Sequence, residues 1–145
     1  MIELGKRQLL EVVRVKEFGV YLSQKAGEDT AVLLPKKQVP QGTGIGDKLE
    51  VFIYRDSQDR LIATMQEPKI QVGQTAVLKV KDVGKIGAFL DMGLEKDLLL
   101  PFKEQSHKVS PGEECLVALY VDKSGRLAAT MKVYAYMSNE PPYEK

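Results

Sequence analysis

The chain has 145 residues, with 21 Lys/Arg and 20 Asp/Glu, so its formal net charge is only +1. This balance excludes a protein that binds nucleic acid through its overall charge alone. Affinity for nucleic acid would need a local basic patch and base stacking. One cysteine and one histidine exclude an internal disulfide and a four-ligand zinc site. No apolar run approaches the roughly 20 residues of a membrane span, and the first ten residues lack a signal-peptide core. We therefore expect a soluble cytoplasmic protein with no membrane partner, no metal and no cofactor.

Five strands are predicted in the first part of the chain from alternating and β-branched residues. They lie at 9–15, 18–22, 30–34, 48–54 and 61–66. The third ends at a proline, which cannot donate to a ladder. In the fourth, Leu49, Val51 and Ile53 share one presumed inward face.

The same five strands are predicted again further along, at 76–83, 86–91, 98–100, 114–121 and 127–133. Here Cys115, Val117 and Leu119 share the presumed inward face of the fourth strand, so the cysteine is expected to be a buried apolar side chain. A hairpin loop at 122–125 precedes the last strand, with Asp122 suited to capping the turn and Gly125 to a positive φ. In the first set, Asp59 takes the place of that glycine.

The two sets of strands are two copies of one unit. Arg-Leu-Ile-Ala-Thr-Met at 60–65 returns as Arg-Leu-Ala-Ala-Thr-Met at 126–131, and Leu-Leu-Pro at 33–35 returns at 99–101. Phe-Gly-Val-Tyr-Leu at 18–22 returns as Ile-Gly-Ala-Phe-Leu at 86–90, the first copy having two extra residues between Tyr21 and Leu33. A single long repeat indicates two small domains rather than a solenoid. We predict domains at 1–67 and 70–134 and a linker or tail at 135–145.

Five short strands in about 65 residues, with the longest loop between the third and fourth, predict a small barrel. The fold class expected is all-β, with two tandem five-stranded barrels of the oligonucleotide-binding (OB) fold.

An ordered set of landmarks in each copy resembles the RNA-binding repeat named after ribosomal protein S-one, over about 125 of the 145 residues. A glycine (Gly5, Gly73) precedes strand one, a Gly-acidic pair at 46–47 and 112–113 opens strand four, and Arg-Leu opens strand five. Strand two resembles the aromatic-Gly-Ala-Phe-Val strand of that repeat.

The phrases at 54–64 and 93–101 are similar, at closer range, to the conserved virulence factor B family of Firmicutes, also called the YitL family. That resemblance implies a bacterial post-transcriptional regulator, with further RNA-binding repeats and a winged-helix domain C-terminal to this chain. The polar segment 138–142 would then be a linker.

The resemblance implies that single-stranded RNA stacks on aromatic residues of strand two. These are Phe18 and Tyr21 in the first copy and Phe89 in the second, where Ile86 replaces the other aromatic. Residues three apart in a strand face opposite ways, so Gly19 would have to allow a bulge or kink that re-aims one of them. The alternative is that Tyr21 and Phe89 belong to the barrel cores and that Phe18 is a plug at the end of the strand.

Two other positions depart from the S-one pattern. Leu34 and Leu100 stand near the place of a family histidine, and Ala-Thr pairs at 63–64 and 129–130 replace the usual Leu-Ser. Basic residues near the strand-two aromatics are candidate phosphate contacts: Lys16, Lys36, Lys37, Lys81, Lys85 and Lys103.

The other chemistry-bearing residues predict no enzyme. His107 lies among polar loop residues, and the aspartates at 56, 59 and 122 occupy hairpins, where turn chemistry explains them. The glycine-rich loop 42–46 lacks the lysine of a phosphate-binding loop and precedes a strand. Two alternatives to RNA binding stay open: a protein-interaction or spacer module, and binding of single-stranded DNA.

Overall fold

A computed structural model describes residues 2–24 and 30–136. The chain divides into two compact units, Met1–Pro68 and Lys69–Lys145. Residues 25–29, which lie in the segment that carries the two extra residues of the first copy, and the tail 137–145, with its predicted linker, fall outside the described residues.

The first unit is a closed five-stranded barrel in the order β1-β2-β3-β5-β4. Its strands are β1 (Arg7–Lys16), β2 (Gly19–Ser23), β3 (Val32–Pro35), β4 (Lys48–Arg55) and β5 (Leu61–Thr64). A parallel pairing of Leu33 with Ile62 joins β3 to β5, and all other pairings are antiparallel. Short antiparallel strands joined by tight turns bury alternate residues inside the closed sheet.

The second unit repeats the arrangement in the order β10-β9-β6-β7-β8. Its strands are β6 (Thr75–Val83), β7 (Gly87–Asp91), β8 (Leu98–Pro101), β9 (Glu114–Val121) and β10 (Leu127–Thr130). Strand β8 lies beside β10, so the sheet curls toward closure as in the first unit. The prediction of two tandem five-stranded OB-fold barrels is confirmed.

Alternation along the strands places the core where the sequence predicts it. In the first unit Leu10, Val12, Leu22, Leu34 and Ile53 are among the buried residues of one apolar cluster. Its counterpart in the second unit includes Leu78, Val80, Leu90, Leu100, Val117 and Leu119. Cys115 is buried with them, and burial, with a smaller contribution from the Glu113 carboxylate, raises the pKa of its thiol. The cysteine is therefore an apolar core residue and a poor nucleophile.

In β4, residues on both faces of the strand are buried. Phe52 and Tyr54 lie on the face opposite to Val51 and Ile53, yet they are buried as well, and their rings stack with centroids 6.3 Å apart. The period-two pattern hides this because apolar residues occupy four consecutive positions.

Both hairpin loops form as predicted. Asp59 adopts a φ of 68° and Gly125 a φ of 85° at the same position of the turn. Asp56 accepts hydrogen bonds from the backbone N–H groups of Gln58 and Arg60, and Asp122 repeats this with Ser124 and Arg126. Burial pushes the pKa of Asp122 upward, but a hydrogen bond from the Ser124 hydroxyl, together with the two backbone donors, outweighs it, and the pKa lies below its usual value.

The last strand of each unit ends earlier than predicted, at Thr64 and at Thr130. The cause is the threonine itself, whose Oγ1 accepts a hydrogen bond from the backbone N–H two residues later, at Gln66 and Lys132. This turn takes the chain out of the ladder. A short 3₁₀ helix, Val133–Tyr136, follows in the second unit where the sequence predicts strand and tail.

The same threonines explain the Ala-Thr pairs. Ala63 and Ala129 are buried in the cores, while the hydroxyl of Thr64 donates to Gln38 Oε1 and that of Thr130 donates to Glu104 Oε1. Each hydroxyl therefore fastens the 3₁₀ turn after the third strand of its unit to the end of the fifth strand. These turns are Lys36–Gln38 and Phe102–Glu104.

We expect Thr130→Val to lower the free energy of unfolding by about 1–3 kcal/mol, because the Glu104 carboxylate loses a hydroxyl donor at a buried site. Thr64→Val should cost less, since Gln38 Oε1 keeps its hydrogen bond from the backbone N–H of Met65. Urea unfolding of both variants measures the difference. If both variants lose the same free energy of unfolding, the difference between the acceptors Gln38 and Glu104 does not affect stability, and the prediction is wrong.

Candidate nucleic-acid interface

The strand-two aromatics of the first unit lie together. Phe18 is 56% exposed and Tyr21 is half-buried, and their rings meet edge to face with centroids 6.2 Å apart. Tyr21 alternates with the core residues Val20 and Leu22, so its ring lies on the outer face of the barrel. The expectation that residues three apart face opposite ways is wrong here, because Phe18 precedes the strand rather than belonging to it.

Gly19 is what brings Phe18 to that face. Its φ is 151°, and a Cβ atom added there would lie 2.2 Å from the carbonyl oxygen of Leu34. Gly87 repeats this in the second unit, with φ 152° and a distance of 2.4 Å to the carbonyl oxygen of Leu100. Glycine therefore allows strand two to begin against the backbone of strand three.

The bulge lies in the neighbouring strand instead of at Gly19. In β1 the pairing shifts between Val12 and Arg14, so that Arg14 is paired with Tyr21. The guanidinium carbon of Arg14 lies 4.8 Å from the centroid of the Tyr21 ring, a cation–π contact. Arg14 is a site residue that the sequence reasoning missed, because strand alternation without a bulge pairs Val13 with Tyr21.

Two predicted lysines border a shallow cleft of about 270 Å³ beside this cluster. Lys16 and Lys36 are both exposed and line it together with Gly19, and the backbone N–H of Lys36 donates to the carbonyl oxygen of Phe18 over 2.9 Å. Lys37 is the next residue and is also exposed. The first unit thus combines the aromatic pair with three predicted cations and Arg14.

The second unit has different chemistry at equivalent positions. Its bulge, between Val80 and Asp82, pairs Asp82 with Phe89, so a carboxylate occupies the place of Arg14. Ile86 and Phe102 are 62% and 44% exposed where the first unit has Phe18 and Lys36, and Phe89 is half-buried. The exposed Phe102 was also missed, although its alignment with Lys36 is visible in the sequence.

The predicted cations of the second unit are only partly accessible to a ligand. Lys81, the extra residue of the bulge, forms an ion pair with Asp97 at 2.9 Å, and this hydrogen bond raises the pKa of Lys81. Lys85 and Lys103 are exposed. The structure thus brings the predicted site residues together more fully in the first unit.

The family histidine has no equivalent on these surfaces. Leu34 and Leu100, near its place in the sequence, point into the cores and are fully buried. The one histidine, His107, is an exposed loop residue whose Nε2 lies 2.5 Å from Glu113 Oε2. Its hydrogen bond, with another from the backbone N–H of Ser110, lowers the pKa of Glu113. This pair fastens the loop before β9.

Over residues 2–24 and 30–136 no group of three or more His, Cys, Asp or Glu side chains is arranged to hold a metal ion. In the same part of the chain no helix has the length and apolar character needed to cross a membrane.

The chain is similar in sequence to one protein family and to several individual proteins. The S1 domain family matches the chain twice, at residues 4–66 and 72–132. The uncharacterised protein YitL of Bacillus subtilis is 38% identical over 97 residues, covering 66% of this chain and 32% of that protein. Conserved virulence factor B of Staphylococcus aureus is 28% identical over 134 residues, covering 87% of this chain and 45% of its own length.

A solved structure agrees in fold. A multidomain protein with nucleic acid binding domains from Streptococcus pneumoniae superposes with a TM-score of 0.71 at 21% identity, covering 87% of this chain and 45% of that one. This chain thus spans between a third and a half of the length of the relatives that it matches. The resemblance to conserved virulence factor B and YitL is confirmed, and with two matches over most of its length the chain belongs to the S1 domain family.

Proposed function

We propose that the chain binds single-stranded RNA through the first unit, where bases stack on Phe18 and Tyr21. The observation that carries this is the edge-to-face pair of rings, with Phe18 exposed and Tyr21 half-buried, beside a guanidinium and two lysines. Aromatic rings on a small barrel contribute about 1–3 kcal/mol for each stacked base. The planar guanidinium of Arg14 extends this surface, because bases stack on arginine as well as on aromatic rings.

Charge supports the first unit as the stronger site. In the first unit Arg14 contacts Tyr21, Lys16 and Lys36 line the cleft beside the aromatic pair, and Lys37 is the next residue. At those four positions the second unit has Asp82, Gly84, Phe102 and Lys103. In a chain with a net charge of only +1, this local patch supplies the attraction for phosphates. The second unit adds weaker binding through Phe89, Lys85 and Lys103.

The relatives support a role as a bacterial post-transcriptional regulator. The chain belongs to the S1 domain family, its relatives include proteins named conserved virulence factor B, and the similar S. pneumoniae protein is described by its nucleic acid binding domains. This chain covers less than half of those proteins. RNA is proposed over single-stranded DNA on this family basis, since stacking alone does not distinguish the sugar.

Fluorescence titration with labelled oligouridylate and oligoadenylate, at two or more salt concentrations, tests the proposal. Four cations near the aromatic pair predict a log–log salt slope of about −3 for a single strand. Deoxy-oligonucleotides of the same sequences serve as the control for the sugar. A slope steeper than about −5 would show that phosphate contacts, rather than stacking, dominate the affinity.

A protein-interaction module is the second candidate, and it is favoured by the exposed apolar side chains of Ile86 and Phe102 in the second unit, where Asp82 takes the place of Arg14. That composition suits a protein surface better than a phosphate backbone. If the parent chain shows no affinity for any oligonucleotide below about millimolar concentration, the RNA proposal is wrong and this reading replaces it.

A further inference from the structure

The cleft beside Phe18 is not explained by base stacking on the aromatic pair. Its walls come from the β1–β2 turn, from the end of the 3₁₀ turn after β3, and from the loop before β4. The lining residues are Val15, Lys16, Gly19, Val20, Lys36, Val39, Pro40, Gly42 and Thr43. Most of them are apolar or glycine, and both charged members are lysines.

The loop that forms the outer wall is held in shape by its own hydrogen bonds. The hydroxyl of Thr43 donates to the carbonyl oxygen of Pro40 over 2.6 Å, and the backbone N–H of Gly44 donates to Asp47 Oδ2 over 2.8 Å. Gly46 in turn donates to the carbonyl oxygen of Val12 in β1. Because these hydrogen bonds fix the wall, it loses little conformational entropy when a ligand binds, and this favours affinity.

The size of the cleft indicates the size of its ligand. Liquid water takes up about 30 Å³ per molecule, so a cleft of about 270 Å³ is far larger than an inorganic ion requires. It is smaller than the roughly 300–1,000 Å³ of pockets that enclose drug-sized molecules. One nucleotide, with an apolar base face and one phosphate, fits both this volume and the apolar walls with their two ammonium groups.

The cleft also adjoins Phe18. This residue lies in the chain between Lys16 and Gly19, both of which line the cleft, and its carbonyl oxygen accepts the hydrogen bond from the backbone N–H of Lys36. The nucleotide next to a base stacked on Phe18 is therefore within reach of the cleft. Glu17 is the exposed carboxylate nearest in sequence, and it is not among the lining residues.

We propose that the cleft holds the nucleotide adjacent to the one stacked on Phe18, with its base against Val39 and Pro40 and its phosphate at Lys16 and Lys36. This inference rests on the proposed RNA binding of the first unit and deepens it. The first unit then binds two successive nucleotides in different ways, one by stacking on an open surface and one by insertion.

Two variants of the full chain test the cleft separately from the platform. Lys16→Gln/Lys36→Gln should weaken oligouridylate binding about three- to tenfold and make the salt slope shallower by about 0.7, the value for one phosphate. Val15→Met should weaken binding by filling the cleft while leaving the lysines and the hydrogen bonds of the wall in place. Lys48→Gln and Ser57→Met, at exposed sites outside the cleft, are matched controls that should bind like the parent.

Amide chemical shifts distinguish a failed inference from a failed function. Uridine 5′-monophosphate added to the ¹⁵N-labelled parent should shift the amides of Gly42 and Thr43, and thermal melts should show that every variant is folded. If Phe18→Ala weakens RNA binding but these amides stay still and the cleft variants bind like their controls, the cleft proposal is wrong and the function stands. If Phe18→Ala changes nothing, both are wrong.

Discussion

Phe18→Ala is expected to weaken the binding of single-stranded RNA by about 1–3 kcal/mol, or roughly five- to 150-fold, because the most accessible π-face of the first unit is removed. Tyr21→Ala should have an effect of the same size, since it removes one ring of the pair and the partner of Arg14. Fluorescence titration with oligouridylate measures both.

Ile86→Ala is the matched control, because it truncates the equivalent exposed position of the second unit, where no π-face is lost. It should change RNA affinity much less than Phe18→Ala. Phe89→Ala is not suitable as a control, since its ring is half-buried and its removal lowers the stability of the barrel as well. If Phe18→Ala and Tyr21→Ala remain folded and bind RNA like the parent, the assignment of the stacking surface is wrong.

Gly19→Ala and Gly87→Ala are expected to be strongly destabilising, at about 3 kcal/mol or more. The added Cβ atoms would lie 2.2 and 2.4 Å from the carbonyl oxygens of Leu34 and Leu100, and these are backbone atoms of a paired strand. Strands two and three would therefore have to separate to remove the clash between the added Cβ atom and the carbonyl oxygen. Urea unfolding measures the loss.

Gly46→Ala and Gly112→Ala provide the controls, one in each unit. These glycines also have positive φ angles, 94° and 90°, but a Cβ atom there would meet no atom within 4 Å. They should lose only the roughly 1–2 kcal/mol that a left-handed backbone costs a residue with a side chain. Equal losses at all four glycines would show that backbone conformation, rather than the close approach of strand three, requires glycine at 19 and 87.

Much of the fold could be predicted from the sequence because local rules and the tertiary structure agree. The bounds of β9, Glu114–Val121, match the prediction, since alternation identifies its inward face. Asp59 could be placed in a turn with positive φ because it aligns with Gly125 and aspartate tolerates that conformation. Because the sequence is repeated, an element predicted in one copy is supported by the aligned residues of the other.

The site could be predicted only in part. The aromatics at 18 and 21 follow from the family pattern, but their contact depends on Gly19 and on where β2 begins, which alternation did not show. Arg14 could not be assigned because its pairing with Tyr21 requires an extra residue in β1, and nothing in the local sequence marks that residue. The cleft was missed because three separated segments form its walls.

The extra residue in the first strand of each unit has a consequence for how such a protein diversifies. Val13 in one copy and Lys81 in the other occupy it, so the backbone irregularity persists although its side chain differs. Because of the extra residue, the side chain paired with the strand-two ring comes two positions after Val12 or Val80. It is Arg14 in one copy and Asp82 in the other. A substitution at that position therefore changes the charge beside the ring while the strand pairing and the core stay the same. The surface chemistry of the two copies can differ in this way without any change of fold.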